Sequence, residues 1–361
     1  MLLLKKISLT QFKNYDFQSF DFTEKIVAIT GKNGIGKTNL IDAIHYLCFT
    51  KSYFSSTDPQ ATQFNKEGFR VEGMFEKQNA AQKVTAIYRG AGRKEVSLND
   101  VLYEKFSMHI GQFTCVIIAP DDVELITGGS EERRKFLDTM LSQLDADYLQ
   151  QLITYTKVLQ QRNGLLKTFA ETGKTDWSLL DIIDHQLITP AKKIHTRRKE
   201  FFASFIPKVQ NLYRQIADNN EAVTLQYESQ LNEHSFESLI EQFRQKDFAL
   251  QRTNAGVHKD DLFIQLNGQP FKPVGSQGQR KSLLFALKLA EFDVLKDNKG
   301  FAPLLLLDDV FEKLDDERMD NLLQHVCLEN EAQVFITDTH EERIKESLGQ
   351  LAISFQVIEL R

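Results

Sequence analysis

A glycine-rich loop at residues 31–38 constrains the fold of this chain more than any other feature. It fits the phosphate-loop pattern GxxxxGK[ST] at every fixed position. A β-rich run, 25–29, precedes the loop, and apolar residues recur at helical spacing after Lys37. This context predicts a strand, a loop and a helix, whereas a chance glycine turn would need neither neighbour. The residues predicted to contact a nucleotide are Gly31, Lys32, Asn33, Gly34, Ile35, Gly36, Lys37 and Thr38.

The chemistry of this loop predicts ATP and Mg²⁺ as cofactors. Glycines let backbone N–H groups wrap the β-phosphate, and the N-terminus of the following helix adds a positive dipole. Lys37 is predicted to reach the β- and γ-phosphates, as a catalytic residue. The hydroxyl group of Thr38 is predicted to ligate Mg²⁺.

A second segment, which ends in two acidic residues, fits the same chemistry. The run 303–307 is apolar without alternation, which is typical of a parallel strand buried on both faces, and it ends in Asp308 and Asp309. Ligands of open α/β sheets bind at the carboxyl ends of the strands. We therefore expect Asp308 to hold the Mg²⁺ shell and Asp309 to orient or deprotonate the attacking water. The alternative is that two aspartates simply open a loop.

A third segment, 275–279, places small residues and a serine before a strongly helical stretch. A helix N-terminus of this kind can bind an anion, but a flexible loop has the same composition. The order of phosphate loop, Ser276-Gln277-Gly278-Gln279 and Asp308-Asp309 resembles that of the ABC-type ATPases, whose signature motif is [LA]-S-x-G-Q. The resemblance implies that ATP is held between two copies of the chain. It also implies that Ser276, Gly278 and Gln279 contact the nucleotide bound by the opposite copy.

Other motifs of the ABC-type ATPases match less closely. Asp315 resembles the D-loop aspartate. Gln112 is a candidate for the Q-loop glutamine. His340 is a candidate for the switch histidine, although it comes two residues later than the usual spacing.

Further segments resemble the RecF family within the SMC-like branch of these ATPases. They are Asn39 after the phosphate loop, the opening segment 9–15, and the segments 119–126, 129–138 and 256–262. The chain has no CxxC hook and no heptad run long enough for an extended coiled coil, unlike the SMC and zinc-hook relatives. The resemblance covers the chain from Met1 to about Leu351. Val257 and Lys259 depart from the commoner proline and arginine of this family, and segment 52–55 lacks an expected arginine.

The resemblance implies an α/β ATPase head with a β-rich subdomain and an inserted helical lobe. It implies binding to DNA at single-strand gaps as an ATP-gated homodimer, and work with RecR, and through it RecO, to load RecA. Slow hydrolysis fits such a role, and Asp309 in place of the usual glutamate is a further hypothesis for slow chemistry.

Patterning along the chain predicts its organisation. Segments 1–120 and 250–361 predict a discontinuous ATP-binding core, and 121–249 predicts a helical insertion in which Thr189-Pro190 begins a helix. The N-terminus does not resemble a secretory signal, and the longest apolar run, 301–307, is too short to span a membrane. Three separated cysteines argue against a disulfide framework and for a reducing cytoplasm.

Two basic clusters are candidates for DNA contact. Net charge is −6, which alone argues against nucleic acid, but a basic stripe can lie on an acidic protein. The first cluster is Lys192, Lys193, Arg197, Arg198 and Lys199, for which a solvated helix face is the alternative. For Arg133 and Arg134 we favour ion pairs in the core or between domains. Two other functions stay open: an ABC-type subunit that drives another DNA- or membrane-associated machine, and an adaptor that binds ATP without hydrolysing it.

Overall fold

The computed structural model describes residues 1–90, 92–217, 221–309, 324, 332–350 and 354–361. These residues divide into two compact units. Unit 1 is Met1–Asp122 with Leu287–Arg361, and unit 2 is Val123–Ala286.

The elements are numbered in chain order. Up to Asp122, unit 1 contains β1 (Leu2–Phe12), β2 (Tyr15–Asp21), β3 (Ile26–Thr30), α1 (Lys37–Phe49), α2 (Asp58–Ala61), β4 (Phe69–Lys77), β5 (Ala80–Arg89), β6 (Arg93–Leu98), β7 (Val101–Leu102) and β8 (Cys115–Ile118). Unit 2 contains α3 (Glu124–Thr127), α4 (Ser130–Leu144), α5 (Ala146–Thr172), α6 (Trp177–Ala217), β9 (Val223–Glu228), α7 (Phe236–Leu250), β10 (Asp261–Leu266), β11 (Gln269–Pro270) and α8 (Phe271–Val274). Next come α9 (Gln277–Lys299), β12 (Leu304–Leu307), β13 (Val334–Asp338), α10 (Glu341–Gln350) and β14 (Phe355–Glu359).

A five-stranded parallel sheet forms the centre of unit 1, in the order β14-β3-β13-β12-β8. All residues of β3, β8, β12 and β13 are buried. This accounts for the apolar runs without alternation, because both faces of these strands are covered. The predicted α/β fold is confirmed, as is the buried strand that precedes Asp308 and Asp309.

An antiparallel sheet accompanies it, in the order β2-β1-β4-β5-β6-β7. Along β4, Phe69, Val71 and Phe75 are buried while alternate positions are more exposed, as expected for a sheet with one covered face. The rings of Phe12 and Phe69 meet edge to face, with centroids 5.1 Å apart, and Tyr46 of α1 contacts both. This aromatic cluster packs α1 against the sheet, and each such pair adds about 1 kcal/mol beyond area burial.

Unit 2 combines long helices with a small sheet. Helix α6 continues through Pro190 and Pro207, so the predicted helix start at Thr189-Pro190 is wrong. An internal proline costs a helix about 3 kcal/mol. Burial of the α6 stripe, with Leu187, Ala191 and Ile194 inaccessible, offsets that cost.

The boundary of unit 2 differs from the predicted insertion 121–249. Strand β10 pairs with β9 in antiparallel register, from Asp261 opposite Glu228 to Leu266 opposite Val223, and β11 extends this sheet. Because this pairing ties the segment after 250 to unit 2, the unit runs on to Ala286 and is not wholly helical. Within the described ranges, no helix has the length and hydropathy needed to cross a membrane.

Candidate nucleotide site

The phosphate loop lies at the carboxyl edge of the parallel sheet. Strand β3 ends at Thr30, directly before the loop. Asp338, at the end of β13, lies opposite Thr30 in the parallel pairing. Strand β12 ends at Leu307, so Asp308 follows at the same edge. The topology therefore brings the loop and the acidic pair to one edge, as the sequence predicts.

Glycines in the loop adopt conformations that other residues avoid. The φ angles are 145° at Gly31 and 117° at Gly36. A Cβ atom at Gly36 would lie 2.5 Å from Nδ2 of Asn14, and one at Gly31 would lie 2.8 Å from the carbonyl oxygen of Leu360. Both positions therefore exclude a side chain on two grounds, backbone conformation and contact.

The hairpin that joins β1 and β2 holds the loop from one side. Asn14 Nδ2 donates to the carbonyl oxygen of Ile35 at 2.8 Å, and the Tyr15 hydroxyl donates to that of Gly36 at 3.0 Å. Asn39 Nδ2 in turn donates to Asn14 Oδ1 at 2.7 Å. From the sequence these residues are only marks of a family, and no contact with the loop is predicted. The signal in the sequence is an asparagine in the turn between two strands that precede such a loop.

The same hairpin places a lysine side chain near segment 52–55, where the expected arginine is missing. Lys13 Nζ pairs with the buried carboxylate of Asp42 at 2.6 Å. Asp42 also accepts hydrogen bonds from the Ser52 hydroxyl at 2.6 Å and from the backbone of Tyr53 at 2.7 Å. A lysine from β1–β2 is thus the cation that supports this segment.

Lys37 lies inside the loop that it belongs to. Its Nζ donates to the carbonyl oxygens of Gly31 at 2.9 Å and Lys32 at 3.3 Å, and the residue is buried. An ammonium group held by backbone carbonyls at the centre of a phosphate loop is positioned to interact with a bound phosphate chain.

Thr38 and Asp308 meet across the sheet edge. The Thr38 hydroxyl lies 3.0 Å from both carboxylate oxygens of Asp308. Thr337, at the end of β13, donates to Asp308 Oδ1 at 2.8 Å and accepts from the backbone N–H of Asp309 at 2.9 Å. Thr337 was not among the predicted site residues, because a single threonine in a strand carries no motif.

Electrostatics at Asp308 reflect its burial. Burial raises the pKa of this carboxyl group above its ordinary value, and the hydrogen bond from Thr337 partly opposes that shift. A hydroxyl and a carboxylate side by side are oxygen ligands of the kind that Mg²⁺ prefers, with water and phosphate oxygens completing the shell. The residues present therefore fit Mg²⁺. Asp309 follows with φ of 47°, a left-handed conformation that turns the chain sharply after β12.

The predicted signature residues begin helix α9. Ser276 Oγ accepts a hydrogen bond from the Gln279 backbone at 3.2 Å, and Gln279 Oε1 accepts one from the Ser276 backbone at 2.7 Å. This reciprocal pair is a capping box. Gln279 Nε2 also donates to Glu221 Oε1 at 2.7 Å. Gly278 lies between them in the first turn, so the motif has a structural role as a helix start in addition to its predicted contact with a nucleotide.

The remaining ABC-type candidates fare differently. Gln112 as a Q-loop residue is wrong, because it precedes β8 and so lies at the amino edge of the sheet, where its carbonyl oxygen accepts from Lys77. His340 follows β13 at the carboxyl edge and is exposed, with its backbone N–H bonded to Asp338 Oδ1 at 2.7 Å. Its role as a switch stays a prediction. Asp315 lies outside the described residues.

The basic cluster of helix α6 is largely neutralised. Arg198 is buried and pairs with Asp260 at 2.7 Å and Asp138 at 2.8 Å, so its predicted contact with DNA is wrong. Three exposed or half-exposed cations of the cluster pair with carboxylates, and their partners are Glu237 for Lys192, Asp147 for Lys193 and Asp145 for Arg197. The last two pairs line a cavity of about 340 Å³ between α5 and α6, with equal numbers of basic and acidic side chains.

The segments 129–138 and 256–262 meet inside unit 2. Arg133 forms a two-point ion pair with Asp261, at 2.6 and 2.9 Å, and Arg134 Nη1 donates to the carbonyl oxygen of Asp260 at 2.7 Å. The predicted core ion-pair role of Arg133 is thus observed. These contacts explain why the two segments occur together: they form one polar network that joins α4 to β10.

Comparison with known proteins gives the same fold and family. The family described as “AAA domain” matches residues 6–352. “DNA replication and repair protein RecF” of Flavobacterium johnsoniae is 43% identical over 357 residues, which is 99% of each chain. The protein of the same description from Cytophaga hutchinsonii is 40% identical over 342 residues, covering 95% of this chain and 90% of the relative.

Solved structures agree. The structure described as the recombination mediator protein RecF-ATP in the RecFOR pathway superposes with a TM-score of 0.87 at 30% identity, covering 94% of this chain and 92% of that one. The Smc head domain of Pyrococcus furiosus superposes with a TM-score of 0.54 at 15% identity, covering 100% of this chain and 94% of that one, which is a likeness of fold alone.

Proposed function

This chain belongs to the RecF family of DNA replication and repair proteins, within the ABC-type ATPases, and we propose that it is an ATP-gated clamp on DNA at single-strand gaps. The observation that carries the proposal is the contact between Thr38 and Asp308 beside a phosphate loop that encloses Lys37. Unit 1 supplies the ATP-binding core, and unit 2 is the inserted lobe. A role on the chromosome places the protein in the cytoplasm.

ATP would bind at the phosphate loop. Backbone N–H groups of residues 31–37 surround the β-phosphate, and Lys37 exchanges its loop carbonyls for phosphate oxygens. Thr38 and Asp308 would hold Mg²⁺, which would supply positive charge to neutralise the phosphates. Hydrogen bonds from Thr337 and Thr38 fix the carboxylate of Asp308 beforehand, so little reorganisation is needed.

Hydrolysis is assigned to Asp309, which orients or deprotonates the attacking water. Its backbone is fixed by Thr337 and by the left-handed turn after β12. An aspartate reaches less far than a glutamate by one methylene group, which is consistent with slow turnover. Slow turnover suits a protein whose ATP-bound form does the work and whose hydrolysis ends it.

Dimerisation completes the site. Ser276, Gly278 and Gln279 begin a long helix whose N-terminal dipole favours a γ-phosphate from a second copy. The solved relative is described as a recombination mediator of the RecFOR pathway, which supports RecR and RecO as partners and the loading of RecA as the outcome.

The test compares sedimentation and binding to gapped DNA, with and without Mg-ATP, for wild type, Lys37→Met and the control Lys6→Met. Lys6 is an exposed lysine on β1 that pairs with Asp21. In wild type and the control, ATP is expected to shift sedimentation from monomer to dimer and to tighten DNA binding about tenfold or more, which is typical coupling between two sites. Lys37→Met is expected to lose both effects. A wild-type protein that binds ATP but not DNA would point to an ATPase of another machine, and one in which ATP changes neither sedimentation nor DNA binding would exclude the ATP-gated clamp.

A further inference from the structure

Three basic side chains, Arg134, Arg252 and Lys259, converge on the connection between α7 and β10. Arg252 and Lys259 are exposed, and Arg134 is half-buried. Arg134 Nη1 is bonded to the carbonyl oxygen of Asp260, next to Lys259. His258 Nε2 lies 3.1 Å from the carbonyl oxygen of Thr253, next to Arg252. These two ties bring residues from distant parts of the sequence together; we call the three residues the basic triad.

The carboxylates around the basic triad are engaged by other cations. Asp260 Oδ2 accepts from Arg198 at 2.7 Å and from the Tyr227 hydroxyl at 2.6 Å. Asp261 is paired with Arg133, and Asp247 with the buried Arg162 at 2.6 Å. Across the described part of unit 2, no carboxylate oxygen lies within 4.0 Å of a basic-triad nitrogen.

The positive charge of the basic triad is therefore only partly compensated, by carboxylates beyond ion-pair distance: Asp247 acts on Lys259, and Asp138, Asp260 and Asp261 act on Arg134. Burial lowers the pKa of Lys259, and repulsion from Arg252 and Arg134 lowers it further. The pKa of His258 falls to about 4, chiefly through burial, with contributions from Lys259 and Arg134. Like charges held together by the backbone create a positive potential that a bound anion relieves.

Helix α6 offers a contrast. Lys192, Lys193 and Arg197 pair with Glu237, Asp147 and Asp145, so a phosphate approaching these three cations meets carboxylates as well. The sequence cluster at 192–199 looks more basic than the surface that it forms.

We propose that the basic triad is a contact site of unit 2 for the phosphate backbone of DNA. The proposal rests on the proposed function and adds the residues that contact the strand. Arginine offers paired donors that match phosphate oxygens, and lysine adds an exposed point charge. Contacts of this kind supply affinity that does not depend on base sequence.

The test measures affinity for fluorescein-labelled gapped duplex as a function of salt, with full-length protein and Mg-ATP. The variant is R252Q/K259Q, which leaves the half-buried Arg134 and its bond to Asp260 intact. The control is K192Q/R197Q, which also removes two positive charges, from α6. Loss of two phosphate contacts is expected to reduce the slope of log Kd against log salt by about 2, and to weaken binding about 10- to 100-fold near 0.1 M salt. The control is expected to keep the wild-type slope.

ATP binding and ATP-dependent dimerisation are measured in parallel and are expected to be unchanged in both variants. An unchanged slope in R252Q/K259Q, while wild type binds DNA, would overturn this inference alone. A loss of ATP binding in R252Q/K259Q would assign the basic triad to nucleotide and not to DNA. An equal loss in K192Q/R197Q would return the contact to α6, and failure of wild type to bind DNA would overturn the proposed function together with this inference.

Discussion

Thr337 connects the two acidic residues of the nucleotide site through one hydroxyl group. It donates to Asp308 and accepts from the backbone N–H of Asp309, so it holds the carboxylate of Asp308 and the backbone of Asp309. Valine has the same shape without the hydroxyl group. We expect Thr337→Val to lower kcat for ATP hydrolysis about tenfold, the effect of one lost hydrogen bond of about 1.4 kcal/mol, while ATP binding changes less. Steady-state kinetics with nucleotide titration will measure both.

Thr114 provides the matched control. It is a buried threonine next to β8 of the same sheet, and its hydroxyl oxygen has no hydrogen-bond partner among the described residues. Thr114→Val should therefore leave kcat unchanged. Equal losses in the two variants would mean that Thr337 acts only through packing of the sheet.

Single residues also show where sequence reasoning ends. The sequence predicts Lys37, Thr38 and Asp308 because each belongs to a motif of neighbouring residues. The structure brings these three together. Thr337 and Asn14 were missed because their roles depend on which strands become neighbours. Arg198 was misjudged for the same reason, since a charge pattern along a helix does not show which face is buried.

The β1–β2 hairpin acts as an element that supports the phosphate loop. Through Asn14 and Tyr15 it bonds the carbonyl groups of Ile35 and Gly36 and so holds the backbone of the loop in place. We expect Asn14→Ala to weaken ATP binding about tenfold, because the loop must then be ordered by the ligand itself. Isothermal titration calorimetry with a non-hydrolysable analogue will measure the loss.

Gln18→Ala, on an exposed position of the same hairpin, serves as the control and should bind as wild type does. If Asn14→Ala binds ATP normally, the hairpin only packs against the loop and does not support it.

At the scale of elements, the sequence predicted most strands and helices from periodicity. It missed the continuity of α6 through Pro190, because tertiary burial outweighed a local helix-breaking signal.

Stability of the whole molecule should depend on pH through Glu291 of α9. Burial raises its pKa from 4.5 to about 7, and Lys288 Nζ, which also faces Asp122, lies 4.0 Å from its carboxylate. Between pH 4.5 and 7 the unfolded chain releases a proton that the folded chain keeps, so stability falls as pH rises. The full cost, present above pH 7, is at most about 3 kcal/mol.

Glu291→Gln removes this titration. We expect the variant to melt close to wild type near pH 5 and several degrees higher than wild type near pH 8, by calorimetry. Glu67→Gln, at an exposed position of unit 1, should follow the wild type at both values. A variant that melts below wild type at pH 8 would show that the ionised carboxylate is stabilising.

The strand order of the parallel sheet has a consequence for how the protein is made. Strand β3, which carries the phosphate loop, lies between β13 and β14, which are synthesised long after it. Contacts between residues more than three hundred positions apart must therefore form before β3 has its neighbours in the parallel sheet. A chain that stops before residue 334 would thus contain every residue of the loop but neither of the strands that pair with β3. Such a chain is expected to bind ATP poorly, although its phosphate-loop motif is intact.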